Sequence, residues 1–323
     1  MMQGARIASL PSPVLFPPIP LWVWVLYHVV VAAFIAIDLV FHRKGSNPTF
    51  KGAISWVLVW VAVAVMIGAL IGLFFGGSAS LLYFTAYLVE YSLSFDNLFI
   101  FAVIFAYFAV PLAYQNKTLY VGIVSAMILR GAFIASGLEL IARFDWMILV
   151  FGAILIFSGY RLARSGMEEV DPGRNPVVRF ARRFAPFSDR FYGTKFVVKD
   201  NGKRYLTPLV LALLAIETTD IVFALDSLPA VIAITLNFFI AYTSNISAIL
   251  GLRSLYTLLA MFMYKLEYLS KGLAVVLVFF GLKMIAGQFG FVIPTLESIG
   301  VVLTVIAISA LLSVAIRGRH GKT

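Results

Sequence analysis

The sequence predicts an all-α polytopic membrane protein of about nine transmembrane helices, and three observations carry that prediction. Hydrophobic residues make up 62% of the 323 and charged residues only 12%, where a soluble domain holds about a quarter charged residues. Apolar runs long enough to cross a bilayer recur along the whole chain. Lys and Arg gather in alternate connections between those runs, as the cytoplasmic loops of a multi-pass protein do. The partner implied throughout is the lipid bilayer, and a bacterial inner membrane is the expected location.

Taken in order, residues 1–20 hold Pro11, Pro13, Pro17, Pro18 and Pro20 and a single charge, Arg6, which predicts an irregular N-terminal arm. Residues 21–75 supply two N-terminal spans. The first is too long for a signal peptide, contains Asp38, and is followed rather than preceded by Arg43, Lys44 and Lys51, so the N-terminus is expected outside. Further runs lie near 53–75, 80–110, 118–141, 145–161, 207–235, 243–263, 271–288 and 293–316. The connections near 41–52, 111–117, 161–206 and 264–271 and the C-terminal tail hold nearly all the basic residues, while those near 76–79, 236–242 and 289–292 hold none. Nine spans with the C-terminus cytoplasmic satisfy this alternation. The same bias accounts for most of the formal charge of +10, so no nucleic-acid partner is implied.

The 162–206 connection is the one sizeable soluble element. In VVRFARRFAPFSDRF, Phe180, Phe184, Phe187 and Phe191 recur at helical intervals between Arg179, Arg182, Arg183 and Arg190, which predicts a segment on the membrane surface that Pro186 shortens. Asp200, Asn201 and Gly202 then separate two β-prone runs, a hairpin signal.

Function is read from LLAIETTDIVFALDSLPAV, residues 213–231, where Glu217, Asp220 and Asp226 sit in sequence apolar enough for lipid. Each acid at mid-membrane costs about 3 kcal/mol, and each large apolar residue returns only about 0.45. Three acids outweigh the dozen or so apolar residues around them, so they must face a protein interior, a water-filled cavity or a bound cation. An earlier stretch echoes this one. Glu90 and Asp96, with Ser94 and Asn97, repeat the spacing of Asp220 and Asp226; each motif is followed in the next helix by a basic residue, Arg130 and then Arg253; and IFSGYR at 156–161 matches VFFGLK at 278–283. Residues 80–161 and 207–288 are thus expected to be two three-helix units. An odd number of spans per unit inverts the second copy, and inverted repeats carry their substrate at the repeat interface near mid-membrane. Residues 293–323 supply the last span and a basic tail.

Residues six apart lie about 240° apart on a regular helix, so each acid pair shares a face only if its helix departs from regularity; Pro229 offers the second helix a means. Glu217 and Asp220 do share a face, and Thr218, Thr219 and Ser227 could add neutral oxygens. Oxygen-rich coordination without His or Cys selects a hard divalent ion, Mg²⁺, Ca²⁺ or Mn²⁺, and no prosthetic group. The five clustered acids against Arg130, Arg253 and Lys283 leave two negative charges, matching one such ion.

At these residues, EYSLSFDN (90–97), IETTDIVFALDSLPA (216–230) and ILGLRSLY (249–256), the sequence resembles the TerC family of integral membrane proteins, within the broader LysE-type transporter group. The resemblance runs from about residue 20 to 316. It implies metal-ion transport with manganese export, and it carries over Glu90, Asp96, Asn97, Glu217, Asp220 and Asp226 as motif residues. The tellurite resistance attached to the family name has no evident chemistry in a cysteine-free, carboxylate-lined site. No H-E-x-x-H or E-x-x-H pattern points to an enzyme. The alternative is a membrane-protein assembly or stress-resistance factor without transport. Because carboxylates crowded in a low-dielectric site compete for protons once a metal leaves, protons are the expected exchange partner, with Asp220, Asp226 and Glu90 or Asp96 binding either. The sequence leaves the oligomeric state open.

Overall fold

In hydrocarbon every backbone N–H and C=O must find a partner within the protein, and a continuous apolar run does so by forming a helix. The computed structural model describes residues 18–42, 50–144, 146–165, 172–200, 202–260, 267–291 and 293–320. Residues 1–17 of the proline-rich arm, Arg43, Lys44 and Asp145 lie outside them. Eleven α-helices follow one another among the described residues: α1 (Leu21–His42), α2 (Phe50–Phe75), α3 (Gly77–Tyr107), α4 (Leu112–Arg143), α5 (Met147–Ser165), α6 (Pro176–Phe184), α7 (Pro208–Ile234), α8 (Phe238–Leu250), α9 (Leu252–Ala260), α10 (Glu267–Gln288) and α11 (Thr295–His320). A short hairpin, β1 (Val197–Asp200) and β2 (Lys203–Leu206), precedes α7.

Four of these helices contain a single stretch long and apolar enough to span: Leu21–Phe41, Phe50–Phe75, Leu112–Arg143 and Met147–Arg164; Pro208–Ala224 with Ser227–Ile234 makes a fifth, bent by 41°. Ala274–Gln288 and Gly300–Ser309 are shorter apolar helices. The expected departure from regularity around Asp226 takes the form of that bend: α7 remains helical through Pro229 to Ile234 instead of unwinding.

The predicted span at 243–263 differs most from expectation. The helix starts earlier, at Phe238, because Asn237 caps it by accepting from the Ile240 amide at 3.1 Å. It is also divided at Gly251, whose φ of −76° and ψ of −12° stay helical, so the division is a kink rather than a loop. Within α8, Thr243, Ser244 and Ser247 each donate back to a carbonyl one turn earlier at 2.7 Å, a habit that bends helices.

Between α5 and α7 the chain forms a short helix and a hairpin. α6 stops at Phe184, before Pro186; it seats Val178 in the core and leaves Phe180 and Phe184 exposed with their rings 4.3 Å apart. β1 and β2 pair antiparallel with Asp200 opposite Lys203, and Gly202 takes a φ of 80° in the turn.

The helices of the two proposed units pack reciprocally: α3 against α8, α4 against α7, and α5 against α10. The last seam is the closest. A Cβ built on Gly281 would lie 2.6 Å from the Gly152 carbonyl oxygen and 3.1 Å from the Ile156 nitrogen; one built on Gly159 would lie 2.7 Å from the Ala274 oxygen and 3.1 Å from the Val278 nitrogen. The shift of 122 residues that lays IFSGYR on VFFGLK carries Gly159, Ile156 and Gly152 onto Gly281, Val278 and Ala274. One contact is thus the other with the units exchanged, which is the relation a two-fold axis between them demands. If the units are inverted, a reporter fused within residues 161–206 reads as cytoplasmic and one at 76–79 as external. The same side for both would contradict the inversion.

Candidate cation site

Arg130, midway along α4, is the largest fully buried side chain among the described residues. Its Nη1 donates to Glu90 on α3 and to Asn245 Oδ1 on α8 at 3.1 Å; its Nη2 and Nε donate to Asp220 Oδ1 and Oδ2 on α7 at 2.9 and 3.3 Å. One guanidinium therefore joins the first two helices of both units. Its planar fork suits this task, since a two-pronged grip fixes the orientation of a carboxylate as well as neutralising it. Glu90 and Asp220 are buried too, at 1% and 5% exposure.

Glu217 lies one turn before Asp220 on the same face of α7. Ser125 of α4 donates to its Oε1 at 2.6 Å. Close approach there depends on Gly122, where a Cβ would come within 3.3 Å of the same oxygen. Beside Glu217 and Asp220 is a small cavity lined by α3, α4, α7, α8 and α9. Its charged lining is Glu217, Asp220 and Arg253; the rest is apolar apart from glycine. Glu90 Oε2, Glu217 Oε2 and Ser94 Oγ are buried with no hydrogen-bond partner among the described residues. An unmet buried polar group costs about 1–3 kcal/mol, more if it is charged, and an oxygen-seeking cation is the kind of ligand that removes that cost.

The remaining predicted residues divide into several groups. The side chains of Asp96 and Asp226 lie outside the described residues. Asn97 and Ser227 are buried on α3 and α7. Thr218 and Thr219 donate to the Leu214 and Ala215 carbonyls at 2.6 and 2.7 Å, which leaves only their oxygen lone pairs for a ligand. Among the described residues no three His, Asp or Glu side chains form a metal-binding group; two of the acids meet at Arg130 instead.

Arg253 forks onto Asp38 of α1, with Nε–Oδ2 at 3.1 Å and Nη2–Oδ1 at 2.5 Å. Lys283 donates to Ser298 of α11 at 2.8 Å. Arg130 is seated on the motif acids Glu90 and Asp220. Glu90, Glu217 and Asp220 against Arg130 leave two negative charges among the described residues. Sequence reasoning did not single out Ser125 or Asn245, because neutral polar residues are common in transmembrane helices and carry no burial cost large enough to stand out. Asp38 did carry a signal, as an acid inside a span.

The sequence profile of the Integral membrane protein TerC family matches residues 75–321. The chain is 42% identical over 301 residues to an uncharacterized membrane protein of Myxococcus xanthus, covering 93% of this chain and 94% of that one. It is 39% identical over 309 residues to an Escherichia coli protein named as the membrane-bound redox modulator Alx, covering 93% and 96%. It is 45% identical over 231 residues to the chloroplastic thylakoid membrane protein TERC of Arabidopsis thaliana, covering 72% and 60%. No solved structure matches.

Proposed function

We propose that this chain, which belongs to the TerC family of integral membrane proteins, exports a hard divalent cation, Mn²⁺ before Ca²⁺ or Mg²⁺, in exchange for protons. The observation that carries the reading is the buried cavity between the two units, lined by Glu217 and Asp220 and adjoined by Glu90 through Arg130, with two carboxylate oxygens lacking partners. A cation entering it meets net negative charge and unmet hard ligands, and a dry apolar wall that strengthens both. The position suits alternating access, in which the two units rock about a site that both help to build. A redox role of the kind stated in the Alx name would have no thiol to use, since the chain contains no cysteine.

Export against a negative-inside potential of 100 mV costs a divalent ion about 4.6 kcal/mol, so a coupled counter-ion is required. In proteoliposomes, a proton gradient acidic on the external side is expected to drive Mn²⁺ toward that side with opposite proton movement. Glu217→Gln and Asp226→Asn each abolish that flux while leaving the protein inserted, since both changes remove ligand charge and ease burial. Flux indifferent to the gradient and to an uncoupler would rule out antiport. No metal flux at all from pure protein would favour an assembly or stress-resistance role instead.

A further inference from the structure

α6 and the hairpin are fastened to one end of the bundle. The apolar stretches of α4, α5 and α7 start or stop there, at Leu112, Arg164 and Pro208, and such ends mark the level where hydrocarbon gives way to headgroups. Lys117 of α4 donates to the Thr194 carbonyl at 2.8 Å, and the rings of Tyr114 and Phe191 stand 6.0 Å apart. Thr207, at the head of α7, donates its amide to the Phe196 carbonyl at 2.9 Å, and α6 itself packs on α7. Successive residues of a helix turn by about 100°, which divides α6 into three arcs. Val178 and Ala181 share the arc set against the protein, with Val178 at 1% exposure. Val177, Phe180 and Phe184 fall together on the next, at 40%, 63% and 67% exposure. Arg179, Arg182 and Arg183 fill the third, all exposed, and α6 carries no acid. The apolar face is thus wider than the protein covers, and its uncovered part borders a band of positive charge, with the Arg183 guanidinium 6.0 Å from the centre of the Phe184 ring.

We propose that this exposed face of α6 is a docking surface for anionic phospholipid headgroups of the surrounding bilayer, with Phe180 and Phe184 at the acyl boundary and the three arginines on the phosphates. The inference is independent of the cation reading. Charge decides the occupant. A guanidinium fork meets a phosphate through two parallel hydrogen bonds, and a negative lipid surface attracts basic residues held beside it. A zwitterionic headgroup offers the same phosphate but adds an ammonium that the arginines repel, so the surface selects lipids of net negative charge. Residues 162–206 hold ten Lys and Arg against five Asp and Glu, an excess of the same sign. An aromatic edge flanked by arginines is also what a helix lying in the interface presents to lipid.

Because the chain contains no cysteine, Phe180→Cys gives a single site for a small fluorophore. The labelled full chain is reconstituted into vesicles of phosphatidylglycerol and phosphatidylcholine at one fixed composition, with a spin-label quencher carried on either the anionic or the zwitterionic lipid. Quenching is expected to be about fivefold stronger from the anionic lipid. Adding Arg179→Gln, Arg182→Gln and Arg183→Gln is expected to bring the two to equality, whereas removing the same charge from the hairpin, by Lys199→Gln, Lys203→Gln and Arg204→Gln, leaves most of the preference. No quenching from either lipid would put the face in water or against another protein, and equal quenching before the arginines are removed would mean lipid contact without headgroup selection; either result overturns the proposal. So does a preference that survives loss of the three arginines, or one that falls equally with the hairpin charges. Thermal unfolding checks that the variants fold. If the triple variant does not, Arg183→Gln alone serves: a smaller drop in the preference supports the proposal and an unchanged preference overturns it.

Discussion

Arg130→Met is expected to lose about 3–5 kcal/mol of stability, the cost of removing one partner from a buried ion pair. The shape of the side chain is roughly kept, so the loss measures what the guanidinium does: without it Glu90 and Asp220 become buried like charges facing one another, and Asn245 Oδ1 loses its donor. Arg130→Lys is expected to fall between, since an ammonium retains charge but cannot hold both carboxylates in one plane. Thermal unfolding in detergent reads the effect. If the acids form a cation site, saturating Mn²⁺ restores part of the loss, about 2.7 kcal/mol at a hundred times the dissociation constant. An unchanged melting temperature for Arg130→Met would show that the guanidinium is not the hub that its contacts describe.

Gly281→Ala and Gly159→Ala form the second large expectation. Each methyl would stand closer than 3 Å to a backbone oxygen of the facing helix, and backbone cannot rotate aside as a side chain can. Helix pairs in lipid associate through such close backbone approach, so prising the α5–α10 seam apart is expected to cost about 1–3 kcal/mol per substitution. Because the two contacts exchange under the repeat relation, the two losses should be similar. Gly300→Ala is the control: nothing lies within 4 Å of its added carbon, so stability should stay level or rise slightly through helix propensity. Unequal effects of Gly281→Ala and Gly159→Ala would argue against a symmetric seam.

The parts of the site legible in the sequence are those that violate the lipid environment. Glu90, Glu217, Asp220 and Arg130 stand out because a charge in an apolar run is expensive and needs a reason. Their convergence was foreseeable from the repeated spacing, but their mutual pairing was not: the sequence cannot say that Arg130 holds both first acids, because those partners lie 40 and 90 residues away on different helices. Asp38 shows the limit most plainly. Its charge was visible, yet its partner is 215 residues distant, and no local pattern connects them. The kink at Gly251 was illegible for a different reason. Apolar periodicity marks where a span runs, whereas the hydroxyls that bond within α8 before the division leave hydropathy unchanged. The α6 segment and the hairpin were readable because both rest on local chemistry: proline placement, an Asx-Gly turn and alternating phenylalanine and arginine.

The wide separation of Arg130's partners also sets a clock on assembly. Asp220 follows Arg130 by 90 residues and Asn245 by 115; at about 5–20 residues per second of synthesis, the first of these arrives roughly 5–18 s after the arginine. Glu90 is already made, so the guanidinium enters the bilayer with a single carboxylate and waits for the rest. During that interval α3, α4 and α5 form an unfinished bundle whose future contact surfaces for α7, α8 and α10 face lipid or the insertion machinery. Helices that could meet in microseconds to milliseconds are held apart by the pace of the ribosome. Completion of the bundle is thus timed by translation, and the long segment that carries α6 and the hairpin fills much of the wait.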